Sequence, residues 1–289
     1  MTIWQAGIDI HSAGFYAVIL QRQRYGWQMR NWHLWRAPPL PEGYAYPSQS
    51  DGISQALLQA LKAWRSRLPK RVSFRIALPA EAILQQTLPL PDGVESPSAR
   101  QWLIEDSVDR LFPLSLRELA VDYRVISSLD GKANAQAVVS ATRRKDMTSL
   151  LSGLAEAGIA PDIVDAAPCV LRSMALAAGV DRGALLLHRM ARRFMWVSPL
   201  NDAFCYQLLP EMSDESPLFS ASQAREAYRL AGGDAQRVLL SGEIDEPEAQ
   251  GGAALWSPLA AIDQMHPPLP PEEHRFVLAC GLALREEDR

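Results

Sequence analysis

Apolar and polar positions follow readable periods along this chain. Ala6 to Ile10, Phe15 to Leu20 and Trp27 to Trp35 are β-branched and aromatic runs, with His11-Ser12-Ala13-Gly14 turning between the first two. They predict a three-stranded meander. A Pro-rich linker follows (Pro38 to Gly43, then Tyr44 to Ser50). Ile53, Ala56, Leu57, Ala60, Leu61 and Trp64 then recur with helical spacing, and Ser50 or Asp51 is the expected cap. One such stripe packs on a sheet. Val72 to Leu78 predicts a strand ended by Pro79.

The pattern then changes. Ala82 to Leu88 reads as a strand and Pro89 to Gly93 as a break. Ser98 to Leu111 reads as a helix anchored by Trp102, Leu103 and Leu111. Val121 to Ser127 and Ala135 to Ala141 read as a hairpin turning at Asp130-Gly131-Lys132. Lys145 to Ala157 reads as a helix with Met147, Leu150, Leu151 and Leu154 inward and Gly158 as its stop. These elements predict a compact α+β subdomain over about residues 80–157, inserted into a larger frame. A short helix from Pro168 to Ala178 follows. Ala184 to His188, Arg193 to Val197 and Ala203 to Leu209 then predict a second meander. Setting Asp9 on His188 also sets Phe15 on Phe194 and Val18 on Val197, a repeat of topology more than of sequence. Ser222 to Ala231 reads as a helix stopped by Gly232-Gly233, and Val238 to Leu240 as a short strand. Glu243 to Gly252 reads as a loop, and Glu272 to about Arg285 as a helix whose segment Phe276–Leu284 is apolar on nearly all sides. In the first meander, strict alternation puts Trp27 and Trp35 on one face and Trp32 on the other.

Composition narrows the classes. The chain has 289 residues, 48% hydrophobic and 21% charged, with a mean hydropathy of -0.10. That is the profile of a folded globular protein, not of a disordered one. A net charge of -4 and a pI near 5.8 give no general affinity for nucleic acid. No apolar run approaches the roughly 18 residues of a membrane span, and Met1 to Ala6 lacks the features of a signal peptide. Cys169, Cys205 and Cys280 lie far apart, which fits a reducing cytoplasm and offers no CxxC site. No phosphate-loop, dinucleotide, nucleophile-elbow or HExxH motif occurs, and the five histidines show no metal spacing.

Several segments carry a family resemblance. Gly7-Ile8-Asp9-Ile10-His11-Ser12-Ala13 resembles the first phosphate turn of actin-like ATPases. Val238-Leu239-Leu240-Ser241-Gly242 resembles their adenosine strand-turn, and Phe276 to Leu284 their closing helix. The early insertion resembles the FtsA and PilM arrangement. Pro161-Asp162-Ile163-Val164-Asp165-Ala166 before a helix, and the Pro267–Pro271 stretch, are similar to the enterobacterial branch of the PilM family. The resemblance spans the whole chain. It implies an α/β, actin-like two-lobed fold, with residues 1–180 as the first lobe carrying the insertion and 181–289 as a second, reduced lobe.

The resemblance also implies a cytoplasmic component of a type IV pilus-like assembly or DNA-uptake platform. It would be held at the inner membrane by the cytoplasmic N-terminal peptide of a PilN-like (HofN) single-span protein. The peptide's expected seat is the cleft between the first lobe and the insertion, bordered by Val72–Leu78 and Ala82–Leu88, by strand addition or in an apolar groove. An actin-like portion of a type II secretion L-protein is disfavoured, because the chain stops at Arg289 without a span.

For nucleotide, Asp9 and Ser12 match the family's phosphate turn and Gly242 its adenosine turn, as vestiges of a cofactor site. His11 takes the place of the turn's glycine, where a Cβ crowds phosphate. His188-Arg189-Met190 stands where Asp-x-Gly is expected. Arg189, Arg192 and Arg193 could hold phosphate by charge or be a solvated hairpin, but they cannot ligate Mg²⁺. Glu243 follows Gly242 with a charge opposed to a triphosphate. Asp9 could equally serve its own turn. The expectation is a non-catalytic protein without cofactor, binding Mg-ATP only if the degenerate site is retained. The alternative is an active actin-like ATPase driving assembly.

Overall fold

The structure is a computed structural model, and it describes residues 3–11, 14–38, 53–91, 96–126, 135–190, 193–209, 217–244 and 253–286. The Asp130-Gly131-Lys132 turn and Arg192 lie outside the described residues.

The chain opens with β1 (Trp4–His11), β2 (Gly14–Gln23) and β3 (Gly26–Arg36), then α1 (Gln55–Arg65) and β4 (Val72–Leu78). The insertion follows as β5 (Leu84–Pro89), α2 (Pro97–Leu111), β6 (Leu119–Ile126), β7 (Gln136–Arg143) and α3 (Arg144–Glu156). The frame resumes with β8 (Pro161–Ala166) and α4 (Ala167–Ala177). The second half holds β9 (Leu185–Arg189), β10 (Phe194–Val197), β11 (Tyr206–Leu208), α5 (Pro217–Leu230), β12 (Val238–Gly242), β13 (Ala253–Leu255) and α6 (Val277–Leu284).

Two five-stranded sheets have the same order, β3-β2-β1-β4-β8 and β11-β10-β9-β12-β13. The repeat holds to the residue. Ile10 faces Phe15 and Gly7 faces Val18 in the first sheet; Arg189 faces Phe194 and Leu186 faces Val197 in the second. Setting Asp9 on His188 therefore superimposes both registers. The parallel neighbours follow, with Ile8 beside Ile76 and Leu187 beside Leu240. The sheets lie on either side of α4 and α6. One cluster joins Tyr16, Val18 and Leu20 of the first sheet to Leu186, Met195 and Val197 of the second through Val170, Met174, Leu278 and Leu282. The insertion forms its own sheet, β5-β7-β6, over a separate core of Ile104, Val108, Leu119 and Val139.

Several expectations are corrected. Helix α1 starts late, because Ser54 is its N-cap and accepts from the Leu57 amide. Leu58 is buried where Ala56 is exposed. Trp102 is 67% exposed; Ile104 and Val108 hold α2 down instead. Strict alternation fails in β3, where a register shift opposite Ile19 and Leu20 leaves Arg30 unpaired. The bulge flips the faces beyond it. Trp27 and Trp32 therefore share the core between the sheets, and Trp35 packs on the other side with Phe15. Strand β11 is shorter than expected, because the Ser198 hydroxyl donates to the Ala203 carbonyl and accepts from the Cys205 amide. The C-terminal helix begins as a 3₁₀ turn over Glu273–Phe276 before α6.

Candidate functional site

The ends of β1, β9 and β12 open on one cavity of about 1400 Å³, lined among others by Asp9, His11, His188, Gly242 and Glu243. Parallel strands deliver their C-terminal ends to a common crevice, where ligands of open α/β sheets bind. Gly242 has a φ of 91°, and a Cβ there would stand 2.1 Å from the Arg189 carbonyl oxygen. The glycine lets β12 close on β9, and the Glu243 amide then donates to the same carbonyl at 2.9 Å. Its neighbour's side chain is thereby aimed across the cleft.

Glu243 is the hub of that crossing. Its Oε1 accepts from the Tyr16 hydroxyl. Its Oε2 lies 2.8 Å from Nη1 of the buried Arg275 and 3.4 Å from Nη2 of Arg36. Arg275 also donates to Glu272 Oε1 at 3.0 Å and to the Ile244 carbonyl at 3.2 Å. Burial and the Glu243 charge push the Tyr16 hydroxyl well above its usual range.

The ionisable groups beside this hub are shifted toward their neutral forms by their surroundings. Burial, with the Glu243 charge second, lifts the Asp9 carboxyl from its ordinary 3.8 to about 7. Burial drops His11 from 6.5 to about 4, against the pull of Glu243, whose Oε1 lies 3.6 Å from His11 Nε2. Burial also drops His188 to about 3, with the His11 charge second, and its Nδ1 shares a hydrogen bond of 2.9 Å with Ser241 Oγ.

The donor set offers a magnesium-bound triphosphate few oxygen ligands, Asp9 being the carboxylate left at this wall of the cavity. Mg²⁺ requires oxygen ligands in near-octahedral array. Among the described residues no three His, Cys, Asp or Glu side chains converge to hold a metal. Glu243 is already taken by two guanidinium groups, and neutral imidazoles stand at His11 and His188. The far wall is nonetheless basic, with Arg117, Arg143 and Lys145 alongside Arg189 and Arg193.

A second concavity, about 710 Å³, lies between the insertion and the frame. Ile83, Val121, Val138, Val164, Leu176 and Phe204 give it an apolar lining. Leu176 is 56% exposed on its lip. Arg285 closes one side through a 2.9 Å ion pair to Asp165. Both β6 and β8 are edge strands of their sheets, and both contribute consecutive residues to the groove.

The model of the family described as type IV pilus assembly protein PilM matches residues 7–180. The chain belongs to the PilM family. It is also 25% identical to the DNA utilization protein HofM of Escherichia coli K12, over 98% of this chain and 97% of that one. Among solved structures it resembles a chain of the PilM-PilN type IV pilus biogenesis complex, with TM-score 0.70, 16% identity and 97% of each chain covered. It also resembles the cytoplasmic domain of EpsL, an inner-membrane component of the Vibrio cholerae type II secretion system. There the TM-score is 0.55 and the identity 13%, over 99% of this chain and 96% of that one. The fold is the actin-like one that the sequence resembles. Among the described residues, no helix is long and apolar enough to cross a membrane.

In this PilM-family chain Asp9 and Gly242 meet at the same cavity, while Ser12 lies outside the described residues. The structure brings Glu243 to Tyr16, His11, Arg36 and Arg275, a convergence that no local motif announces. The one sequence signal was Arg275, a lone cation just before an all-apolar run. The expected cleft between the first lobe and the insertion does form a groove, and Leu78, Ile83 and Gln85 of the two expected strands line it. β4 is paired on both sides, by β1 and β8, so no peptide can add to it. Edge strands β5, β6 and β8 all contribute to the groove, with α4 presenting Cys169, Arg172 and Leu176 along one face.

Proposed function

We propose that this chain is a non-catalytic scaffold of a type IV pilus-like assembly or DNA-uptake platform. Its groove between insertion and frame receives the cytoplasmic N-terminal peptide of a PilN-like (HofN) inner-membrane protein. That contact would hold an otherwise cytoplasmic chain at the membrane. The observation that carries the reading is the largely apolar groove bordered by edge strands. An extended peptide can bond to an edge through its backbone and place alternate side chains in the apolar lining. The similarity to a chain of a PilM-PilN complex supports the choice of partner. The non-catalytic half rests on the donor set described above, with no carboxylate at His188 and Glu243 already engaged.

Titrating a labelled peptide from the start of a PilN-like protein tests the reading. The expected affinity is micromolar, about -8 kcal/mol. Leu176→Glu should weaken it at least about tenfold while leaving the melting temperature unchanged, because that side chain is on the lip. Absence of binding at high micromolar peptide, or a Leu176→Glu variant that binds as wild type, sinks the groove assignment. Thermal melts with Mg-ATP test the other half. A ligand at a hundred times its Kd adds about 2.7 kcal/mol, and no such shift is expected at millimolar nucleotide. A clear shift would restore the ATPase alternative.

A further inference from the structure

Glu243 is placed oddly for a residue that merely opposes phosphate. It stands at the end of β12 in the second sheet, and its partners Tyr16, Arg36 and His11 belong to the first. Its side chain is about four-fifths covered, and the side chain of its nearest cation, Arg275, is 1% exposed. The surroundings are built to hold it. Gly242 adopts a left-handed backbone immediately before it. Glu272 is also left-handed, at φ 51°, and braces Arg275 from the other side. A side chain held in that region costs energy that neighbouring contacts must offset. Charge-assisted hydrogen bonds from guanidinium to carboxylate are among the strong ones. The resulting pocket of two guanidinium groups and a phenol is an anion site, and the anion is part of the chain.

We propose that Glu243 is a built-in anion whose carboxylate, bound to Arg275, Tyr16 and Arg36, closes the mouth of the cleft between the two sheets, so that closure requires no ligand. This goes beyond the scaffold reading and is separable from it. A melt of wild type with Mg-ATP bears on catalysis, whereas the clasp stands or falls on Glu243 and Arg36 variants without nucleotide.

Two measurements test it. The first is a double-mutant cycle of Glu243→Gln, which is isosteric, and Arg36→Met, which keeps an unbranched stem without the charge; both are expected to fold. Each should lower the melting temperature by a few degrees, and the double variant should lose clearly less than the sum of the two. Simple additivity, or no loss in Glu243→Gln, overturns the proposal. The second is chemical rescue of Glu243→Ala, with sodium formate compared against sodium chloride at equal ionic strength. Formate should recover part of the lost melting temperature and contract the radius of gyration measured by X-ray scattering, and it should leave wild type unchanged. Equal effects of formate and chloride overturn the proposal. If Glu243→Ala does not fold, the cycle alone decides.

Discussion

At the scale of single residues, the cavity is a place where proton affinity has been rearranged. Asp9 sits deep in the cleft beside Glu243, and its carboxyl titrates near 7 instead of 3.8. The native state therefore holds a proton there, over that interval, that the unfolded chain has released. Stability contributed by Asp9 is present at acid pH and is lost as pH rises through 7. The imidazoles work in the opposite sense. His11 near 4 and His188 near 3 are neutral in the fold, while the unfolded residues protonate below 6.5. Their contribution is present above 6.5 and is lost as pH falls toward 3. Asp9→Asn removes only the first effect. The variant should exceed wild type in urea-denaturation stability at pH 8, and the gap should close as pH falls toward 4. A gap that does not change with pH would refute the assignment. So would a loss at pH 8, which would mean that an ionised Asp9 is a structural requirement.

At the scale of elements, the sequence was most legible where a period ran unbroken. The two meanders, α1, α3 and the apolar C-terminal segment were all readable, because burial on one face imposes a repeat. What escaped were places where one residue breaks the period. Arg30 bulges out of β3, and the faces of Trp32 and Trp35 exchange. No local signal marks a bulge that the neighbouring strand imposes. Strand β8 was visible only as a motif, since Pro161–Ala166 is short and its pairing to β4 is long-range. The Glu243 hub was illegible for the same reason: its partners lie more than 200 positions away at Tyr16 and Arg36. In α2 helical phase, not side-chain size, decides which residues are buried. Trp102 is the largest apolar side chain of that helix, yet Ile104 and Val108 face the insertion's sheet. Ile104→Ala should cost about 2–4 kcal/mol by leaving a cavity. Trp102→Ala should stay within about 0.5 kcal/mol, as exposed substitutions do. Equal costs in chemical denaturation would mean that Trp102 packs after all.

At the scale of the whole molecule, the two halves share one core, and α6 is its hinge pin. The helix comes last in the chain, yet it lies against β1, near the start, and against α4. Gly7 has no room for a Cβ: one would stand 2.1 Å from the Ala279 oxygen and 2.4 Å from the Ala283 nitrogen. On the other side, a Cβ at Gly281 would meet Val170 at 2.8 Å. Val277, Leu278 and Leu282 are all buried between the sheets, as is Phe276 just before them. At about 1.5–3 kcal/mol for each large side chain, these four contribute roughly 6–12 kcal/mol. That is comparable to the about 5–15 kcal/mol that separates a folded domain from its unfolded chain. Residues 7–180, which match the family model, leave the surfaces of β1 and α4 bare without this helix. A fragment ending at residue 180 should therefore fail to fold on its own. The full chain should unfold in a single transition, with circular dichroism and tryptophan fluorescence coincident, even though Trp64 and Trp196 report from different clusters. Two resolved transitions, or a fragment with dispersed amide resonances and a cooperative melt, would show that the sheets stand independently and that α6 only bridges them.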